Sequence, residues 1–298
     1  MHIVTAIDSF KGSLSAQKAA EAIERGIRSV YPQASICNFP LADGGEGLAE
    51  AILAVRGGTK RDVCVKDPLG RDITAFYGLL DDRTAVIEMA AASGLPLLTE
   101  SERNPMHATS YGTGQLIRAA LDDGCKSIIL GLGGSATNDG GLGMAQALGI
   151  RFLDADGKEV VPGGEGLAQV AAIDASGRDK RLDNVFLRLA CDVTNPLCGA
   201  DGASHVFGGQ KGADEAMRAE LDASMAHYAA MICKETGQDF TNTKGAGAAG
   251  GLSIPLLAFW QAEVASGIEL VLDLLQIDSA LQQADLVITG EGRLDGQT

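Results

Sequence analysis

The chain has 298 residues, 46% hydrophobic and 21% charged, enough to bury the core of one large or two ordinary domains. Its formal net charge of −15 argues against a surface for nucleic acid, whose phosphates require a basic stripe, and against an anionic membrane surface. Glycine, at 39 residues, is about twice as frequent as usual. With no collagen-like period and no Gly/Ser tract, the excess is expected in defined loops.

Residues 3–7 form a short apolar run ending at Asp8 and read as a buried strand. Ser15 suits the N-cap of a helix to about residue 30, with Ala19, Ala20, Ile23 and Ile27 on one face. A strand over 35–41, the loop ADGGEG and a helix over 48–55 continue a rhythm characteristic of a parallel, Rossmann-like sheet. The rhythm then changes. Residues 63–65, 73–77 and 85–89 read as short strands joined by the turns DPLGRD and LDDRT, with Pro68 and Gly70 at turn positions i+1 and i+3. Adjacent antiparallel strands imply a second domain from about residue 66. Alternation resumes with a helix over 113–121, a strand over 127–132, a glycine-rich loop, a helix over 142–148 and a strand over 151–153. Residues 186–190 read as strand, 215–235 and 268–283 as helices, and 285–289 as a buried strand running into GEGRLDGQT. A buried strand ending in such a loop is normally followed by a covering helix, so a C-terminal truncation is expected.

The six cysteines form no CxxC and have no zinc-ligand spacing, and read as reduced, mostly buried thiols of a cytoplasmic protein. The first residues, MHIVTAIDSFKG, lack a signal-peptide pattern, and no apolar run reaches the length of a membrane span. The four histidines form no HxxxH or HExxH pair and there is no G-x-S-x-G, which disfavours a zinc hydrolase and an α/β-hydrolase.

Several strand-end loops could carry chemistry. Asp8, Ser9, Lys11 and Ser13 follow the first strand, where open α/β sheets bind ligands, and could cradle an anion; the alternative is a capped turn. Asp43 and Glu46, among Gly44, Gly45 and Gly47, could hold Mg²⁺ or a substrate hydroxyl. The strongest constellation is Gly131 to Gly141, GLGGSATNDGG, which packs backbone amides, two hydroxyls, an amide and a carboxylate between a strand and a helix. It suits a phosphate chain with a cation, although it is not a Walker A loop. Gly112, Thr113 and Gly114 open a helix and could cap it or touch ligand. Asp192 ends a strand, Lys211 lies in FGGQKGA, and Glu291 and Asp295 sit in the last loop. Gly245 to Gly251 fits GxGxxG in form but follows no strand, which discounts a nicotinamide site.

In order, the blocks DSFKGSLSA, LADGGEG, DPLGR, AVIEMAAASGL, YGTGQLIRAALD, GLGGSATNDGGLGMAQALG, ACDVTNPL, FGGQKGA, GAGAAGGL and LVITGEGRLDGQ resemble the bacterial type I glycerate kinase family across the whole chain. The resemblance implies a phosphotransferase with an alcohol acceptor. It would move the γ-phosphate of ATP to D-glycerate with Mg²⁺, and enterobacterial-type members give 2-phosphoglycerate. It implies two α/β domains with the active site between them. One is Rossmann-like and discontinuous, from 1–65 and 268–298, and incomplete here; the other, 66–267, is mixed α/β and inserted into it. The family chain continues beyond GEGRLDGQ. Ile7 and Gly209 stand where the family usually has proline, which puts loop rigidity in question but removes no functional group.

On this reading Gly133, Gly134, Ser135, Thr137, Asn138 and Thr113 contact the nucleotide. Mg²⁺ is held by some of Asp139, Asp192, Glu291 and Asp295. Lys11 or Lys211 offsets charge on the transferring group. Asp192 is the base near the glycerate hydroxyl, and Asp8, Ser9, Asp43 and Glu46 hold glycerate. The expected partner is a small molecule rather than nucleic acid or membrane, with a homodimer as the candidate assembly. The rivals are a non-catalytic metabolite-binding protein on the same fold and a nicotinamide-dependent hydroxy-acid dehydrogenase.

Overall fold

The computed structural model describes residues 1–10, 13–42, 44–45 and 47–290. In chain order the first elements are β1 (His2–Ile7), α1 (Ala16–Val30), β2 (Ser35–Pro40), α2 (Leu48–Arg56), β3 (Thr59–Lys66), β4 (Asp72–Leu79) and β5 (Thr84–Glu88). Next come α3 (Ala90–Ser93), α4 (Tyr111–Asp122), β6 (Ser127–Gly131), α5 (Leu142–Ala147), β7 (Arg151–Leu153), β8 (Ala172–Asp174) and β9 (Phe186–Ala190). The remainder are α6 (Ala203–Phe207), α7 (Glu215–Thr236), α8 (Ser253–Trp260), β10 (Glu263–Ala265), α9 (Gly267–Leu275), α10 (Ile277–Leu281) and β11 (Leu286–Gly290).

The protein is α/β, with two main sheets. The smaller has the order β11-β1-β2 and is parallel throughout, so the end of the described chain returns to pair with its beginning. The larger has the order β10-β9-β6-β5-β4-β3. Its β10, β9, β6 and β5 run parallel, while β4 and β3 are antiparallel additions. β3 pairs with β4 over its full length, so residues 59–65 belong by hydrogen bonding to the larger sheet and not with the first strands.

Side-chain alternation explains the layering. Ala85 and Ile87 of β5 point into the main core, whereas Val86 points the other way, into a second apolar cluster. That cluster joins Val4, Ala6 and Phe39 of the small sheet to Leu48 and Ile52 of α2 and to Val271 and Leu275 of α9. Thus α2 and α9 lie between the sheets, and β5 is buried on both faces, as its apolar run requires. Each fully buried Leu or Ile side chain there contributes about 1.5–3 kcal/mol.

Ser15 caps α1 as predicted, its hydroxyl accepting from the Lys18 amide at 3.4 Å. The helix predicted over 268–283 is two helices, broken at Gln276, whose φ of 52° cannot continue an α-helix. The strand predicted as buried at 285–289 is present, but Leu286 and Val287 are exposed. All six cysteines are free, with Cys37 and Cys64 exposed rather than buried. Among the described residues no helix is long and apolar enough to cross a membrane.

The turn between β3 and β4 braces the strand ends. Asp67, 2% exposed, accepts from the amides of Leu69 at 2.8 Å and Arg71 at 2.9 Å and is paired with the Arg71 guanidinium. Gly70 closes the turn onto the Asp67 carbonyl, and the Pro68 carbonyl accepts from the Thr109 amide at 2.9 Å. Asp67→Ala removes the acceptor of two part-buried amides and of the Arg71 guanidinium and is expected to cost about 1–3 kcal/mol, read as a lower urea midpoint at unchanged slope.

Candidate functional site

The parallel strands of both sheets deliver their carboxyl ends to one region, and glycine lets them meet. A Cβ on Gly131, at the end of β6, would sit 2.4 Å from the Gly44 carbonyl oxygen, and one on Gly133 would sit 2.5 Å from the Gly45 Cα. The Gly133 amide donates to the Gly44 carbonyl at 3.3 Å. Gly44 also abuts Ala190 at the end of β9. The loops after β2, β6 and β9 therefore touch backbone to backbone, an approach closed to any residue with a side chain.

Beside this junction a cavity of about 470 Å³ opens between the end of β1, the start of α1 and the start of α2. Ser9, Ser13, Ser15, Gln17, Glu50 and Glu88 supply polar groups, and Phe10, Leu14 and Phe76 apolar ones. Gly47, at the start of α2, also lines it, and Gly44 of the same stretch touches Gly131 and Gly133 of the apex after β6. Glu88, at the end of β5, accepts from the amides of Gly47 at 3.0 Å and Ala49 at 2.9 Å, and so fixes the positive end of α2. Glu88 was not among the residues singled out in the sequence. The available signal was a lone acid closing the otherwise apolar strand AVIE.

The predicted residues divide into three groups. Ser9 lines the cavity, and its amide donates to the Asp8 carboxylate at 2.6 Å; the Asp8 amide is tied to the Gly290 carbonyl at 2.9 Å. Gly134 is exposed and Gly133 half-buried at the apex. Asp192 is exposed at the end of β9, where one oxygen, Oδ1, accepts from the Ser266 hydroxyl at 2.8 Å and the Gly267 amide at 3.0 Å. It thereby anchors the start of α9, and its Oδ2 has no hydrogen bond among the described residues. Lys11, Asp43, Glu46, Glu291 and Asp295 lie outside the described residues.

The third group turns inward, contrary to expectation. Asp139 is fully buried and accepts from the Ser110 amide and hydroxyl, both at 2.8 Å, the Gly141 amide at 3.1 Å and the Gly143 amide at 3.3 Å. Those four bonds commit its carboxylate to bracing its own loop; burial raises its carboxyl pKa while the bonds oppose the shift. Thr113 is wholly buried, with its hydroxyl 2.8 Å from that of Ser93, and so packs α4 against α3. Thr137 and Asn138 are also wholly buried, the Asn138 amide donating to the Ser204 hydroxyl at 2.9 Å. Lys211 is 1% exposed and donates to the Ser135 hydroxyl at 2.8 Å and the Thr137 carbonyl at 2.6 Å. It supports the loop from beneath and does not face open space; burial pushes its ammonium down to about 7, against an opposing pull from Asp139. Among the described residues no three His, Cys, Asp or Glu side chains cluster as a metal site.

Gly133→Ala places a methyl group inside the Gly45 backbone. The expected outcome is a loss of about 1–3 kcal/mol in stability together with faster hydrogen exchange at the 44–45 amides, measured by urea unfolding and mass spectrometry.

Comparison with known proteins bears on the family and the fold. The model of the glycerate kinase family matches residues 3–298. The chain is 54% identical to a glycerate kinase of Bacillus subtilis over 299 aligned positions, spanning 100% of this chain and 78% of that protein. It is 51% identical to the glycerate 2-kinase of Escherichia coli K12, again over 100% of this chain and 78% of the relative. A crystal structure from Salmonella typhimurium LT2, of a protein assigned as glycerate kinase 2, superposes with a TM-score of 0.93 at 52% identity, covering 100% of this chain and 80% of that one. With a family match across nearly its whole length and relatives above half identity, this chain belongs to the glycerate kinase family.

Proposed function

We propose that the protein transfers the γ-phosphate of ATP to a hydroxyl of D-glycerate, with Mg²⁺, giving 2-phosphoglycerate. The observation that carries this reading is the meeting of the Gly44, Gly131 and Gly133 backbones, which brings the ligand-binding ends of two sheets to one place. In-line phosphoryl transfer asks mainly for positioning and charge neutralisation, and two sets of loops on rigid sheets supply positioning.

The apex at Gly133, Gly134 and Ser135 fits a phosphate chain. Gly134 is exposed, and the Ser135 hydroxyl has no acceptor for its proton among the described residues. Magnesium typically takes one or two carboxylates and completes its shell with phosphate and water. Asp192, with one oxygen unengaged, fits that demand; Glu291 and Asp295 remain proposed contributors. The ion, when bound, would neutralise developing charge on the phosphoryl oxygens. Ser9 in the cavity wall, with Asp8 beside it, is the proposed contact for glycerate, joined by Asp43 and Glu46. Asp192 is also the proposed acceptor for the proton of the attacking hydroxyl, and Lys11 a proposed source of positive charge. We place the reaction in the cytoplasm, a reading supported by six free thiols.

Phosphorus NMR of the full gene product with D-glycerate, ATP and Mg²⁺ is expected to show 2-phosphoglycerate; absence of any phosphoglycerate sinks the reading, and the 3-isomer corrects its regiochemistry. Asp192→Asn is expected to lower kcat by about 10²–10⁴-fold while ATP affinity stays within twofold, and near-normal turnover removes Asp192 as the base.

A further inference from the structure

The Ser135 hydroxyl is held in an unusual way for a side chain only 7% exposed. Its oxygen accepts a hydrogen bond from Lys211 Nζ at 2.8 Å. A hydroxyl has one proton to give and two lone pairs to receive. With the amine on one lone pair, the proton is directed away from Lys211, and among the described residues no hydrogen bond accepts it. The backbone leaves the group little freedom to turn elsewhere. Ser135 bridges to Gly94, the Ala136 amide donates to the Ser93 carbonyl at 2.9 Å, and the Leu95 amide donates to the Gly134 carbonyl at 2.9 Å. The second Lys211 bond, 2.6 Å to the Thr137 carbonyl, fixes the amine itself. Ser135 is therefore clamped from both sides, one residue past the exposed Gly134 at the apex where the sheets' loops meet.

From this geometry we infer that Lys211 is a positioning residue that turns the Ser135 hydroxyl into a fixed donor for an anionic oxygen of a bound substrate. A nearly buried hydroxyl proton without an acceptor is costly, and a phosphoryl or carboxylate oxygen would satisfy it with a charge-assisted bond. The inference rests on the kinase reading above and deepens it. It replaces the expectation that Lys211 touches the transferring group, which its burial and its two protein acceptors argue against. Because Lys211 works through Ser135, the two residues form one unit, and their removal should not be additive.

The test is a double-mutant cycle on the full gene product, with Ser135→Ala, Lys211→Met and the pair. Affinity for a non-hydrolysable ATP analogue with Mg²⁺ and affinity for D-glycerate are measured separately by calorimetry, alongside KM, kcat and melting temperature. Ser135→Ala is expected to weaken one ligand by about 10–100-fold, as for loss of a hydrogen bond to a charged partner, with little change in melting temperature. Weakening confined to the analogue identifies a phosphoryl oxygen as the acceptor; weakening confined to glycerate identifies its carboxylate. Lys211→Met is expected to weaken the same ligand, and the double variant to bind no worse than Ser135→Ala alone. Unchanged affinity for both ligands in Ser135→Ala, or losses that multiply in the double variant, overturns the inference. Should Lys211→Met fail to fold, the Ser135→Ala result decides the donor role alone. A wild-type protein that makes no phosphoglycerate rejects the kinase reading, whereas an active wild type with an indifferent Ser135→Ala rejects only this inference.

Discussion

The arrangement depends on one steric condition: two polypeptide backbones must come closer than a side chain permits. Gly131 and Gly133 on the larger sheet face Gly44 and Gly45 on the loop from the smaller one, and a single methyl group at either of the first two positions would overlap main-chain atoms. The consequences follow in order. The strand ends of both sheets share a region, Gly47 lines the neighbouring cavity, and α2 begins where Glu88 can bind its first amides. A wider separation would leave the strand ends of the two sheets as separate surfaces rather than one shared region.

Bringing the loops together exposes them to a second demand, that a glycine-rich segment hold one shape. Glycine loses more freedom on ordering than any other residue, so the loop needs enthalpic support. Asp139 supplies it by gathering four donors from Ser110, Gly141 and Gly143, and Lys211 by bonding Ser135 and Thr137. Burying a carboxylate and an amine is expensive unless each is satisfied, which explains why so many backbone groups converge on them. The support extends outward: Ser110 follows Thr109, whose amide is held by the Pro68 carbonyl in the turn stabilised by Asp67. A surface turn and the apex of the site are thus steps in one hydrogen-bonded series.

What could be seen in the sequence was the period of the elements and the positions of the breaks. The apolar runs placed nearly every strand, DPLG announced its turn, Ser15 announced its cap, and the glycine cluster of 131–141 was correctly placed between a strand and a helix. What could not be seen was which way polar residues in those clusters point. Ser135, Thr137, Asn138 and Asp139 are equally polar on paper. In the structure Asp139 and Asn138 spend their bonds on Ser110 and Ser204, which are distant in sequence. Lys211 has the composition of a catalytic lysine, and only the path of the chain after α6 reveals that it ends beneath the loop. The hairpin of β3 with β4 could be read from the turn DPLGRD between them, whereas its extent back to Thr59 could not, because the exposed residues 59–62 carry no apolar pattern. The break at Gln276 was invisible for a similar reason, since the apolar spacing of α9 and α10 continues through a residue forced out of helical geometry.

The charge of the molecule bears on how such a site must work. A chain with a net charge of −15 cannot attract a triphosphate by its overall field. Among the described residues the lysine nearest the apex is buried and bonded to the protein itself. On the proposed reading, neutralisation at the apex would come from short-range groups rather than from the overall field: main-chain amides, the Ser135 hydroxyl, the proposed Lys11 and a cation arriving with the phosphates. Oriented dipoles are useful only if they cannot rotate away when the ligand leaves. The rigidity imposed by Asp139 and Lys211 is accordingly part of the electrostatics of the site, and the glycine contacts between the sheets are what set the direction in which those dipoles are held.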